Sequence, residues 1–157
     1  MTLARDNPGV IAPPPLVFAG FLALGFVLDV ATGHLGIRFP VWLRWIAAGL
    51  LAAGSVALLT QALARLKSAG TRPEPWRPTT AIVTDGIYRY SRNPIYLAMA
   101  LAYLAIVLAF DSIFGLLLLG PAIAVMQVGV IAREERYLET KFGAEYRRYK
   151  DTVRRWI

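Results

Sequence analysis

The sequence predicts an all-α integral membrane protein with about four transmembrane helices, and three observations lead there. The 157 residues are 57% hydrophobic with a mean hydropathy of +0.51, above the roughly half-apolar composition of soluble domains. The apolar residues fall in long runs, and not at the spacing of half-buried helices or strands. Lys and Arg flank those runs, so the formal net charge of +7 reports membrane orientation and attraction to anionic lipid head groups, with no nucleic acid expected as a partner.

Cysteine is absent and His34 is the one histidine. Disulfides, thiolate metal sites and cysteine nucleophiles are thereby excluded, and no metal centre is expected. Without internal repeats or low-complexity segments, residues 1–157 are expected to form a single domain.

Residues 1–15, MTLARDNPGVIAPPP, are expected to lie extended at the membrane surface, because successive prolines interrupt a helix. No small-residue cleavage site follows the next apolar run, which is expected to be retained. The first span, 16–33, carries Asp29. At about 1.5 Å per residue Asp29 falls near the far interface, so a solvated position is expected for it, with His34 and Arg38 in the following loop. The second span, 41–64, opens with Trp42 and Trp45, which suit an interfacial aromatic belt. Its small residues Ala47, Ala48, Gly49, Ala52, Ala53, Gly54 and Ser55 offer a face for close helix packing.

The connector, 65–93, sets Arg65, Lys67, Arg72, Arg77, Arg89 and Arg92 against Glu74 and Asp85. That excess places it in the cytoplasm, and the two spans before it put the N-terminus there too. The third span, 94–110, and the fourth, 112–131, are joined through Asp111. So short a link predicts an antiparallel hairpin that returns the chain to the cytoplasm. Pro121 is expected to kink the fourth span. The tail, 132–157, reads as two amphipathic helices broken at Gly143, with Tyr137, Phe142, Tyr146, Tyr149 and Trp156 resting on the bilayer. Both termini are then cytoplasmic. A four-span chain without organelle-targeting features fits a bacterial inner membrane.

Two elements have the makings of chemistry. Residues 80–96, TAIVTDGIYRYSRNPIY, run into the third span through Pro94 and put Arg92 and Asn93 at a helix entrance, where unpaired N–H groups favour a carboxylate or phosphate. Glu134 and Glu135 lie where the fourth span ends. Adjacent helical residues point about 100° apart, so one of the two is expected to face inward. A hairpin packed at about 8–10 Å brings the two elements to one level. The alternative is that Arg92 snorkels to lipid phosphate while both glutamates stay solvated among Arg133 and Arg136.

Val83, Thr84, Gly86 and Tyr88, then Arg92, Pro94 and Tyr96, then Glu134, Glu135, Phe142, Gly143 and Tyr146 follow the order and spacing of two motifs. These are His-x-Leu-Val-Thr-x-Gly-x-Tyr leading to Arg-His-Pro-x-Tyr, and a Glu-Glu pair preceding Phe-Gly-x-x-Tyr. In them the C-terminal half resembles the isoprenylcysteine carboxyl methyltransferase and phospholipid methyltransferase superfamily of integral membrane enzymes. The resemblance implies an S-adenosylmethionine-dependent methyltransferase whose cofactor is held by Thr80, Ala81, Ile82, Val83, Gly86, Tyr88, Asn93, Pro94, Ile95, Tyr96 and Glu134. Arg92 and Glu135 are its candidate catalytic residues, with Glu135 or a tyrosine as proton acceptor if an amine or thiol is methylated. Physical chemistry agrees with this division. The cofactor's carboxylate suits donors near Arg92 and Asn93, its ribose diol and ammonium suit Glu134, and its adenine suits a wall of Ile82, Val83 and Tyr88.

The implied acceptor is lipophilic or lipidated: an isoprenylcysteine carboxylate, a phospholipid amine or a thiol. Three positions depart from the family pattern. Thr80 and Asn93 stand in place of histidines, and Val130 stands four residues before Glu134, where the isoprenylcysteine enzymes place an arginine that contacts substrate. Other readings are an NADPH-dependent enzyme resembling sterol reductases and a non-catalytic membrane scaffold.

Overall fold

The computed structural model describes residues 6–157 and contains no strand among them. Its helices are α1 (Pro14–Ala31), α2 (Val41–Ser68), α3 (Pro94–Ala109), α4 (Ile113–Met126), α5 (Ala132–Phe142) and α6 (Ala144–Thr152), with a short 3-10 turn at Gly86–Arg89 and a π-helical turn at Gln127–Ile131. α1, α2 and the continuous 30-residue stretch Ile113–Phe142 are long and apolar enough to cross a membrane. α3 is equally apolar with 16 residues, which at about 1.5 Å per residue leaves it roughly a turn or more short of a 30 Å hydrocarbon core.

The prolines near the start behave differently from the extended tail that the sequence suggests. Pro14 and Pro15 occupy the first turn of α1, where a missing N–H loses no helical bond, so they open the helix. The residues before them fold back on the protein. The Ile11 N–H donates to the Gly129 carbonyl, within the π-helical turn, at 3.2 Å, and the Asp6 carboxylate accepts from the Tyr137 hydroxyl at 2.7 Å and from Lys141 at 2.8 Å. The first five residues of the predicted tail lie outside the described residues.

α2 packs chiefly on α3, and α1 on α4. On α2 the buried residues are Ala48, Ser55 and Ala62, one every two turns, which draws a single stripe along the helix. Ser55 Oγ donates to the Ala98 carbonyl at 2.7 Å. The small-residue face is therefore used on one edge only: a side chain at Gly49 or Gly54 would meet nothing within 4 Å. α1 and α4 cross where a Cβ on Gly25 would lie 2.7 Å from the Gly115 Cα. The core between α1, α3 and α4 holds Phe18, Tyr96, Tyr103, Val107, Met126, Val130 and Ile131.

Asp29 is not solvated; it is 1% exposed. It accepts from the Ser112 hydroxyl and from the Phe114 N–H at 3.3 Å. The first N–H groups of α4 need acceptors that lipid cannot supply, and a carboxylate from the neighbouring helix provides one. Asp111 does the same for the preceding loop, accepting from the Ile37 N–H at 2.7 Å and lying 2.7 Å from Arg44. His34 and Arg38 are exposed, as expected.

The irregularity in the fourth apolar helix lies at the π-helical turn Gln127–Ile131, six residues beyond Pro121. The tail does break at Gly143, whose φ is +56°. Its aromatics are not all spread on the bilayer. Tyr146 and Tyr149 are buried in the protein, because α6 turns back on the connector. The Tyr149 hydroxyl donates to the Tyr88 carbonyl at 2.8 Å, and the Trp156 indole donates to Gln127 at 3.0 Å.

Candidate functional site

The entrance of α3 is tied to the last residues of the chain. The Arg92 N–H donates to the Arg154 carbonyl at 3.0 Å and the Asn93 side-chain amide donates to the Arg155 carbonyl at 2.9 Å. Asn93 precedes α3 without capping it through its side chain. As first-turn residues, Ile95 and Tyr96 have N–H groups with no intrahelical carbonyl to meet. Across the connector, the Thr79 N–H donates to the Tyr137 hydroxyl of α5 at 3.3 Å.

Both glutamates of α5 are engaged, where the sequence suggested one. Glu134 accepts from the Tyr96 hydroxyl. Glu135 is 6% exposed and lies between two guanidiniums, with Oε1 at 3.1 Å from Arg92 Nη2 and 2.9 Å from Arg155 Nε. The two directions, about 100° apart, are both covered because α3 stands on one side of α5 and the C-terminal segment on the other. Arg92 does not snorkel: its side chain is 9% exposed. Its Nη2 serves Glu135, while its Nε and Nη1 are buried with no partner. Buried donors are nearly always satisfied, so two on one guanidinium mark a place for an acceptor group.

The electrostatics follow from burial. The Glu134 carboxyl is pushed up to about 7, first by desolvation and then by the Glu135 charge, against the downward pull of the Tyr96 hydrogen bond. Burial also holds the phenols of Tyr88, Tyr146 and Tyr149 above their ordinary value, so they remain neutral at physiological pH. Among the described residues no group of three or more His, Asp or Glu is placed to hold a metal ion.

Two adjoining cavities, of about 130 Å³ and 110 Å³, open at this level. Tyr88, Arg92, Asn93 and Glu134 line both; Pro94, Ile95 and Tyr96 line the larger; Ala81, Ile82, Val83 and Glu135 line the smaller. A ligand needing several hundred Å³, roughly the usual scale of small-molecule sites, has to widen them. The connector wall between Gly70 and Asp85 has no regular secondary structure, which makes it the wall that can give.

Two sequence-predicted site residues lie outside both cavities. Thr80 is bonded within the connector, its N–H to Thr71 Oγ1 at 3.2 Å and its hydroxyl to the Gly70 carbonyl at 3.1 Å. Gly86 adopts φ +56° against α2, where a Cβ would meet Arg65 Nε at 2.6 Å. Glycine is required there by turn geometry and close approach. Val130 is fully buried and brings no charge.

Sequence reasoning missed Glu74, Thr79, Tyr137, Leu138 and Tyr149 as lining residues, and Arg155 as the second partner of Glu135. Tyr137 and Leu138 stand three and four residues after Glu134, on the same helix face, and that spacing was the available signal. Nothing local in the sequence points to the connector residues.

Comparison with known proteins bears on this geometry. A protein of Haemophilus influenzae, described as uncharacterized, is 51% identical over 63 residues, covering 38% of this chain and 100% of that protein. No solved structure matches the chain. The family model for phospholipid methyltransferase matches residues 43–145, more than half of the chain and both sides of the cavities. This chain belongs to the phospholipid methyltransferase family.

Proposed function

We propose that the protein transfers a methyl group from S-adenosylmethionine to a lipophilic or membrane-partitioned acceptor, at the cytoplasmic face of a bacterial inner membrane. One observation carries the reading: Arg92 holds two buried nitrogens without partners on a side chain that lines both cavities beside Glu134. A molecule with a carboxylate at one end and a diol and ammonium at the other matches that pair, and the aromatic and aliphatic wall of Tyr88, Ile82 and Val83 suits an adenine. The basic connector supplies the orientation.

S-adenosylmethionine, when bound, supplies an electrophilic methyl on a sulfonium. Transfer of that methyl needs in-line alignment and exclusion of water more than an acid or base. Arg92 and Asn93 take the anionic end and fix its place at the entrance of α3. Glu134 accepts from hydroxyl or ammonium donors, with the Tyr96 hydroxyl orienting its carboxylate. Both oxygens of Glu135 are occupied by guanidiniums, so its role is to hold Arg92 in position, and it is not the proton acceptor. Burial of Tyr88, Tyr146 and Tyr149 keeps water from the inner wall.

The test is transfer of a labelled methyl group from S-adenosylmethionine by the purified protein in lipid nanodiscs, with prenylcysteine, phosphatidylethanolamine and small-thiol acceptors compared. Label in at least one lipophilic product is expected. Adenosyl binding without transfer to any acceptor would leave a non-catalytic member of the family.

A further inference from the structure

Arg155 lines neither donor cavity, yet it governs what Arg92 presents to them. Its Nε lies 2.9 Å from Glu135 Oε1 and its Nη2 bonds Oε2, the two-pronged grip in which a planar guanidinium fits a carboxylate. Arg92 reaches the same carboxylate through Nη2, at 3.1 Å from Oε1. Its Nε and Nη1 stay buried without partners, on a side chain that lines both cavities.

The backbone fixes the place of Arg155. After α6 ends at Thr152, the chain runs against the entrance of α3. There the Arg154 carbonyl accepts from the Arg92 N–H at 3.0 Å and the Arg155 carbonyl accepts from the Asn93 side chain at 2.9 Å. The Trp156 indole donates to Gln127 at 3.0 Å. Bonds at Arg155 and on either side of it thus hold its side chain against Glu135.

A lone guanidinium facing a buried carboxylate takes both oxygens with two nitrogens, because that is the stronger pairing. With Arg155 absent, Glu135 would draw Arg92 into that fork, and nitrogens that now have no partner would be engaged inside the protein. Glu135 would also lose one of its two compensating charges in a site of low dielectric, which disfavours a second anion nearby. We infer that Arg155 is a positioning residue: by occupying both oxygens of Glu135 it limits Arg92 to one bond there and keeps the other two nitrogens for the carboxylate of the bound donor. The inference rests on the donor reading above. Arg72 also lines the larger cavity, but it is exposed and its charge is screened by solvent, so discrimination for the carboxylate falls to Arg92.

Calorimetric titration of the whole protein in phosphatidylcholine nanodiscs with two ligands tests this. One is S-adenosylhomocysteine; the other is S-(5′-adenosyl)-3-thiopropylamine, which differs only in lacking the carboxylate. Wild type is expected to bind S-adenosylhomocysteine about tenfold or more tightly than the amine. Arg155→Gln should cut that preference to about threefold or less, through weaker binding of S-adenosylhomocysteine and not of the amine. Adding Glu135→Gln to Arg155→Gln should restore it to about tenfold, because an amide at position 135 offers one carbonyl oxygen and holds Arg92 through one nitrogen. Both affinities come from one preparation, so their ratio does not depend on the folded fraction. Where Arg155→Gln does not fold, Arg155→Lys, which keeps the charge without the fork, should lower the same ratio about threefold. An unchanged ratio in the Arg155 variants, or a double variant no better than Arg155→Gln, would overturn the assignment. Wild type that binds both ligands equally would also overturn it while leaving the donor reading intact; wild type that binds neither would overturn the donor reading and this assignment together.

Discussion

Buried carboxylates gather at both ends of the helical bundle, and the two ends use them differently. At the loop end, Asp29 caps α4 through the Ser112 hydroxyl and Phe114 N–H, and Asp111 closes the loop on Ile37 and Arg44. Neither carboxylate lines any of the cavities described above. At the connector end, Arg92 and Glu74 keep buried polar atoms without partners beside the cavities, and burial pushes the Glu134 carboxyl up to about 7. Arg44 at the loop end also has two nitrogens without hydrogen-bond partners, but it lies against Asp111 and lines none of those cavities. The first arrangement satisfies the backbone where lipid supplies no hydrogen bonds. The second keeps hydrogen-bonding capacity in reserve, and reserve capacity next to a cavity separates a binding site from a structural staple.

Substitutions at the two ends should therefore split into ligand-binding and stability effects. The largest expected effect is that of Arg92→Ala, which removes the spare donors and one partner of Glu135. Adenosylhomocysteine affinity should fall by about 100-fold or more by calorimetry, equivalent to roughly 2.7 kcal/mol. Asp29→Ala should give the complement: about 2 kcal/mol of lost stability from an uncapped, buried helix start. Its melting temperature should drop while the folded fraction binds adenosylhomocysteine as wild type does. If Asp29→Ala lowered affinity without lowering stability, the contrast between the two ends would be wrong.

Glu134 offers a pH test of the same contrast. Its carboxyl, pushed from 4.5 to about 7, has to be ionised to pair with an ammonium and accept from a diol. Affinity should be weakest below about pH 6, rise through about 7 and level off near 8. The sign for folding is opposite. A carboxylate whose folded value is raised holds its proton more tightly when folded, so the empty protein loses stability as pH rises from 4.5 to about 7. Glu134→Gln should lower affinity about tenfold and flatten its pH dependence; an unchanged pH profile in this variant would place the titrating group elsewhere. The smallest effect is expected from Tyr149→Phe, which removes one buried hydrogen bond to the Tyr88 carbonyl and should cost about 1 kcal/mol in a thermal melt, with affinity altered only a few-fold.

What the sequence made legible follows from how local each signal is. Apolar runs mark lipid-facing helices whatever their neighbours do, so the helical class and all four apolar segments are read from composition alone. The Asp111 link makes the α3–α4 hairpin readable, and with it the meeting of Arg92 and Tyr96 with Glu134 and Glu135. Asp29 was misread because distance along one helix says nothing of which neighbour covers its end; Ser112 is 83 positions away. Tyr146 and Tyr149 were misread for the same reason. An amphipathic pattern shows that a face is buried, and only the fold shows whether lipid or protein buries it. Glu74 and Arg155 carry no periodicity or motif, and long-range packing alone brings them to the site.

The central claim is that the connector end binds an adenosyl methyl donor. Isothermal titration of the purified protein with S-adenosylmethionine, S-adenosylhomocysteine and NADPH tests it most directly. Saturable binding of both adenosyl compounds, with none of NADPH, is predicted. Binding of NADPH without either adenosyl compound would contradict it.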